Sequence, residues 1–129
     1  MEKTKFELGQ EMLARIDGAG GESVIRSLES IAPDVGRLIV EFAFGEIYPR
    51  GGLSVQEREM ITIASLLTAG GCEPQLEVHV NGALNVGVPQ EKIVEAFIQC
   101  IPYTGFPRVL NALFVAKKVF AERAEKESN

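Results

Sequence analysis

The chain predicts an all-α domain of about seven helices, and three observations carry that expectation. Strict alternation of apolar and polar residues, the mark of a half-buried strand, is absent. Apolar residues recur instead at helical spacing in one stretch after another. Gly and Pro fall between those stretches, where helices stop and start. With 129 residues, 46% of them hydrophobic, the chain is long enough for one domain, 1–129, with its own core.

Each element follows from its local signals. Phe6, Leu8, Met12, Leu13 and Ile16 give a first amphipathic helix, expected to stop near Gly18 to Gly21. Val24, Ile25, Leu28 and Ile31 give a short second one. Pro33 fits the first turn of a third, with Val35, Leu38, Ile39, Phe42 and Ala43 on its apolar side. After the loop EIYPRGGL, Ser54 and Glu57 form the capping box S-x-x-E of a fourth helix, EREMITIASLLTA, closed by Gly70–Gly71. From Met60 to Ala69 only Thr62, Ser65 and Thr68 interrupt its apolar residues. A helix apolar nearly all round is expected at the centre of the domain or in an oligomer interface. Pro74 starts the fifth helix and Gly87 ends it. Pro89 opens the sixth, which Pro102 and Gly105 should break. Pro107 starts the seventh, and its charged end, ERAEKESN, is expected to fray from about residue 123.

Charge and cysteine content narrow the function. A net charge of −5 offers no electrostatic footprint for nucleic acid or an anionic membrane. No stretch approaches the roughly 18 apolar residues of a membrane span. The first residues, MEKTKFELGQEM, contain no apolar signal core. Two Cys make no disulfide framework, so both read as reduced thiols of a cytoplasmic protein.

The stretch GGCEPQLEVHVNGALNVG, residues 70–87, holds the one His and one of the two Cys. Cys72 lies at the start of the fifth helix, where unpaired N–H groups favour a thiolate. Gln75 stands where a C-x-x-C motif would place its second thiol. Gln75 and His79, at i and i+4, share a face. Seven residues of helix rise about 10 Å, too far for a direct Cys72–His79 nucleophile pair. A partner for His79 should therefore come from another helix, and Glu59 in the fourth is the best candidate. The blander reading is an ordinary helix with a core histidine, and residue spacing by itself leaves both open.

Three stretches carry a family resemblance. They are APDVGRLIVEFAFGEIYPRGGLSVQEREMITIASL, QLEVHVNGALNVGVPQEKIVEAFIQ and YTGFPRVLNALFVAKKVF, together most of residues 32–120. The run R-E-x-x-T-x-A followed by L-x-x-H-x-x-G-A-L-N-x-G is the specific part. The chain resembles the carboxymuconolactone decarboxylase family, in its gamma-carboxymuconolactone decarboxylase branch. That resemblance implies an alkylhydroperoxidase D-like all-helical fold and a homo-oligomer, a hexamer built as a trimer of dimers. Peroxidase-like relatives have two Cys separated by two residues, then a His four residues after the second. Cys72 matches the first thiol and His79 the histidine, but Gln75 replaces the second thiol. Glu59 matches the proton-relay Glu if one residue of the TAGG connection is an insertion. Dithiol exchange needs a resolving thiol within reach, so the resemblance implies acid–base chemistry with Cys72 a leftover candidate thiol.

The family's namesake reaction needs neither metal nor organic cofactor. Loss of CO2 from the lactone acid leaves electrons delocalised into the lactone carbonyl. Protonation of the dienolate at carbon gives the enol-lactone of 3-oxoadipate, a step of aromatic-compound catabolism. His79 is the expected proton donor and Glu59 its orienting partner. Arg50 and Arg58 are the expected carboxylate anchors, because guanidinium binds carboxylate bidentately. Tyr48, Gln99 and Tyr103, and more weakly Arg37, are further substrate-binding candidates from the matching stretches. The expected partner is a small carboxylic acid or lactone. Two alternatives stand beside this lyase reading: a redox accessory protein that uses Cys72, and a small-molecule-binding oligomer without catalysis.

Overall fold

The computed structural model describes residues 2–128, and among these every regular element is helical. The chain divides into two compact units, 1–58 and 59–129.

In the first unit, α1 spans Lys5–Ile16. Thr4 and Glu7 close a capping box at its start, Glu7 N–H donating to Thr4 Oγ1 at 3.1 Å. A second helix, α2, spans Gly18–Leu28. The expected loop over Gly18 to Gly21 is therefore only a joint at Asp17–Gly18. Gly18, at φ +52°, makes the turn by itself. Gly21 is helical, and its missing side chain has a different use. A Cβ there would lie 2.7 Å from Leu13 Cδ1, so the glycine lets α2 cross close to α1.

Pro33 opens α3, Pro33–Leu38, which runs on without a break into a π-helix over Ile39–Ile47. Its widened turn ends with Tyr48 N–H donating to Ala43 O at 3.0 Å, an i→i+5 bond. Sequence periodicity gave one ordinary helix here. Two glycines show how the region packs. A Cβ on Gly9 would run into the Val40 carbonyl oxygen, and one on Gly45 into the Lys5 carbonyl oxygen. Here α1 and the π-helix touch backbone to backbone, and Lys5 pairs with Glu46 at 3.0 Å across the contact.

The fourth helix, α4, spans Val55–Ala69 and bears the predicted capping box, with Ser54 N–H donating to Glu57 Oε1 at 2.8 Å. The helices of the second unit are α5, Glu73–Asn85, α6, Gln90–Thr104, and α7, Phe106–Ser128. Their shared core includes Ile63 of α4, Val80 of α5, Ile93 and Phe97 of α6 and Val119 of α7, all fully buried. Burying one such side chain contributes about 1.5–3 kcal/mol.

Three expectations change here. The α6 helix runs through Pro102 and stops at Gly105, φ +98°. Pro102 sits in the last turn; it gives up the one bond its N–H would make to the Ile98 carbonyl, and Gly105 ends the helix three residues on. Past residue 123, where irregular chain was expected, α7 is helical to Ser128. Its Ala, Glu, Lys and Arg residues are good helix formers, and Arg123 is tied to α5 by hydrogen bonds at 3.0 and 3.1 Å. In this single chain α4 is not buried all round. Glu59, Ile63 and Leu67 form one buried stripe, while Ile61 is 52% exposed.

Candidate active site

Glu59 and Ile63 lie one turn apart on the buried stripe of α4, so the carboxylate occupies a core position. Its side chain is wholly buried. An ionised carboxylate in such a place demands charged or hydrogen-bonding partners. The imidazole of His79 supplies one. Its Nδ1 lies 3.1 Å from Oε2 and 3.3 Å from Oε1 of Glu59. The imidazole itself is 18% exposed, so the pair joins a buried base to a group that reaches solvent. Bonding to an ionised carboxylate requires the proton on Nδ1. In the neutral ring the lone pair is then on Nε2, and protonation there makes Nε2–H the acid.

The fifth helix places His79 through its other faces. Leu76, Val80 and Ala83 are buried in the core. His79 flanks that stripe, partly buried, on the side from which Nδ1 reaches Glu59.

Cys72 is the N-cap residue of α5, and its side chain caps no N–H. It is half-buried, and its S–H donates weakly to Gly70 O at 3.5 Å. A small crevice lined by Cys72, Glu73, Leu76, Arg108 and Asn111 has room for about 10 Å³, one water at most. Cys72 and Cys100 are both free thiols. Burial pushes the Cys100 thiol up, which disfavours its thiolate and makes it a poor resolving group. Gln75 is exposed.

The proposed substrate-binding residues are dispersed in kind. Arg58 Nη2 donates to the carbonyl oxygens of Arg50 and Gly51, both at 3.0 Å, and so clasps the turn before α4. The Arg50 guanidinium is exposed. Tyr48 stacks on Phe44 with ring centroids 4.8 Å apart. Gln99 and Tyr103, one turn apart on α6, are exposed, Tyr103 by 84%. Neither makes a side-chain hydrogen bond among the described residues. Arg37 pairs with Glu41 at 3.1 Å and with Asp34 at 3.7 Å.

Sequence reasoning missed a polar ladder on α5. Glu77 meets Lys118 at 2.6 Å, and Asn81 and Asn85 both accept from Arg123. The i, i+4, i+8 spacing of the three α5 residues was the available signal. Their partners lie about forty residues away and had none.

Among the described residues no helix is long and apolar enough to cross a membrane. The model of the carboxymuconolactone decarboxylase family matches residues 33–118. The chain is 32% identical over 122 residues to a 15.0 kDa protein of the nqo9–nqo10 intergenic region of Paracoccus denitrificans, covering 94% of this chain and 91% of that one. It is also 32% identical to the 4-carboxymuconolactone decarboxylase of Acinetobacter baylyi, over 94% and 90% of the two chains. Similarity at 30% identity extends to the nitrosuccinic acid decarboxylase npaB of Metarhizium robertsii, over 87% of this chain and 80% of that one.

Proposed function

Because the chain belongs to the carboxymuconolactone decarboxylase family, we propose that it is a cofactor-free decarboxylase of a small polycarboxylic acid, of the gamma-carboxymuconolactone type, with His79 as proton donor and Glu59 as its orienting base. The observation that carries this reading is the Nδ1–Oε2 contact of 3.1 Å between a half-buried imidazole and a fully buried carboxylate. Such a pair holds the ring in one tautomer and stabilises it when protonated.

The names of two relatives support the substrate class. Carboxymuconolactone and nitrosuccinic acid are both polycarboxylic acids. In each, a carboxylate departs from a carbon joined to an electron acceptor, an unsaturated lactone or a nitro group. The substrate takes up its own electrons, and the protein has three tasks. It holds the carboxylate that stays, strips water from the one that leaves, and delivers one proton to carbon. Nε2–H of His79 is the donor. Arg50 is the better carboxylate anchor, because Arg58 already spends Nη2 on two loop carbonyls. Tyr48, Gln99 and Tyr103 complete the substrate contacts in this reading, in an oligomer that covers them.

That oligomer is a homohexamer, a trimer of dimers. Its support is an exposed apolar stripe on α7, Phe106, Leu110 and Phe114, exposed by 64%, 45% and 63%. Large side chains in contiguous exposed rows mark interaction surfaces. Light scattering is expected to give a mass well above the 14.0 kDa chain; a monomer at micromolar concentration would refute it.

The test of function is CO2 release from 4-carboxymuconolactone and nitrosuccinic acid by the wild-type chain and by His79→Gln. Gln is tolerated in helices. Loss of a general acid lowers the rate by about 10²–10⁴-fold. Glu59→Gln is expected to lose less. Near-wild-type rates in His79→Gln remove the imidazole from the mechanism. Thiol chemistry is separated by Cys72→Ser, which should keep decarboxylation and confer no loss of peroxide turnover.

A further inference from the structure

The core contacts of α5 settle which face of the helix turns inward, and polar contacts of defined geometry hold that rotation more closely. Leu76, Val80 and Ala83 bury on one face, and apolar contact is non-directional. Directional contacts lie elsewhere on the helix. Glu77, Asn81 and Asn85 form a row at i, i+4 and i+8. At 3.6 residues per turn, that row is about 160–200° round the helix from His79 where the two are nearest in sequence.

Every member of this row is tied to α7. Glu77 receives Lys118 Nζ at 2.6 Å. One nitrogen of Arg123, Nη1, carries two protons and donates to Asn81 Oδ1 at 3.0 Å and Asn85 Oδ1 at 3.1 Å. Asn81 is fixed at its other end as well, its Nδ2 donating to Glu77 O at 3.2 Å. The amide therefore cannot flip without losing both bonds. Arg123 and Asn81 are half-buried, which strengthens the contact against water. Lys118 is 62% exposed and its ion pair is correspondingly weak. Arg123 is the stronger holder of the row.

We propose that Arg123 is a positioning residue for His79: by clamping Asn81 and Asn85 on the far face of α5, it sets the rotation at which Nδ1 meets Glu59. The lever is short. Side-chain atoms lie roughly 5–6 Å from a helix axis, so a rotation of about 10° moves the imidazole by about 1 Å. A 3.1 Å contact lengthened by that much is no longer a hydrogen bond. The consequence for turnover rests on the decarboxylase reading; the positioning itself does not.

The experiment reads the ring directly, since His79 is the one imidazole of the chain. Nitrogen NMR of labelled protein distinguishes the Nδ1–H from the Nε2–H tautomer without any substrate. Wild-type protein should show Nδ1–H as the dominant neutral form. Arg123→Ala should move both ring nitrogens toward a tautomer mixture, and Arg123→Lys should recover part of the difference. The double variant Asn81→Ala, Asn85→Ala should match Arg123→Ala, and it supplies the same reading if Arg123→Ala fails to fold. Ile93→Val, in the core but off the ladder, should lower Tm and leave the ring signals unchanged. Ring shifts in Arg123→Ala and the double variant that equal wild type overturn the proposal. So does an equal disturbance by Ile93→Val. If a decarboxylation assay is in hand, Arg123→Ala should lose roughly 10²-fold, in kcat more than in KM. Altered ring signals in Arg123→Ala, together with full activity in His79→Gln, would keep the positioning role and defeat the catalytic reading.

Discussion

Within residues 2–58, helices meet backbone to backbone at Gly9 and Gly45, and side-chain caps at Thr4 and Ser54 start α1 and α4, while α2 and α3 start without one. Within residues 59–128, they meet through large apolar side chains around Ile63, Ile93 and Phe97, and neither α5 nor α6 has a side-chain cap. The first unit has few buried apolar side chains, Leu13, Ile16, Val40 and Phe44. It compensates with local devices whose energies are each small. The second gathers its stability into one core, where a single loss is large. The buried Glu59 and its bond to His79 belong to the second kind of construction. A buried carboxylate holds its geometry only where the surrounding side chains are already locked.

The contrast can be broken most directly at Phe97. Phe97→Ala removes a fully buried ring from the shared core and should cost about 3–5 kcal/mol, read by urea unfolding. A loss below that of a typical surface change would mean that the second unit does not depend on its core. Gly9→Ala addresses the first unit. Its Cβ meets a backbone oxygen, which cannot swing aside, so the close crossing must open at about 1–3 kcal/mol. Gly20→Ala is the sharpening control. It sits in α2 with nothing within 4 Å of a new Cβ, and it should stabilise by about 0.4–1 kcal/mol. Loss of stability in both variants would show that helix glycines matter there for some reason other than close approach.

Caps come next in size. Thr4→Ala should cost about 0.5–2 kcal/mol, because an N-terminal N–H loses its acceptor. The second box adds a pH signature. Hydrogen bonds from the Ser54 backbone and hydroxyl hold the Glu57 carboxyl below its ordinary 4.5. Its contribution is then present above pH 4.5 and is lost as pH falls through the lowered value. The gap between wild type and Glu57→Gln should accordingly narrow in acid; a constant gap would remove the ionised acid from the cap. The smallest effect is at Lys118, whose pKa Glu77 raises above 10.5, with Glu122 adding to it. That contribution is complete below pH 10.5 and disappears as pH rises through the raised value. Added salt should shrink it at neutral pH, since the lysine is exposed. Insensitivity of the difference between wild type and Lys118→Met to both would show that the ion pair adds no stability.

Much of the fold was legible because its signals are local. Pro33, Pro74, the Ser54–Glu57 box and Gly105 each act within one turn of the helix end they define. The Glu59–His79 pair was reached from the i, i+4 face of α5, the need for a partner on a second helix, and the family resemblance. The Gly18–Gly21 run misled, because a glycine that opens a loop and one that admits a neighbouring helix look alike in sequence. Pro102 misled too, since a proline removes one i→i−4 bond and need not stop the helix at its own position.

By itself, then, the sequence determined that the elements are helices, where α3, α4 and α5 begin, the family, and which side chains are able to carry acid–base chemistry. Tertiary structure decided what those helices do to one another. It set the widening of the third helix into a π-helix, the backbone contact at Gly9 and Gly45, and the clamp of Arg123 on residues 42 and 38 positions away. The physical reason is range. Caps, turns and periodicity are settled by neighbours within about four residues. Close approach, burial of a carboxylate and the rotation of a helix depend on atoms that meet only after distant segments have packed.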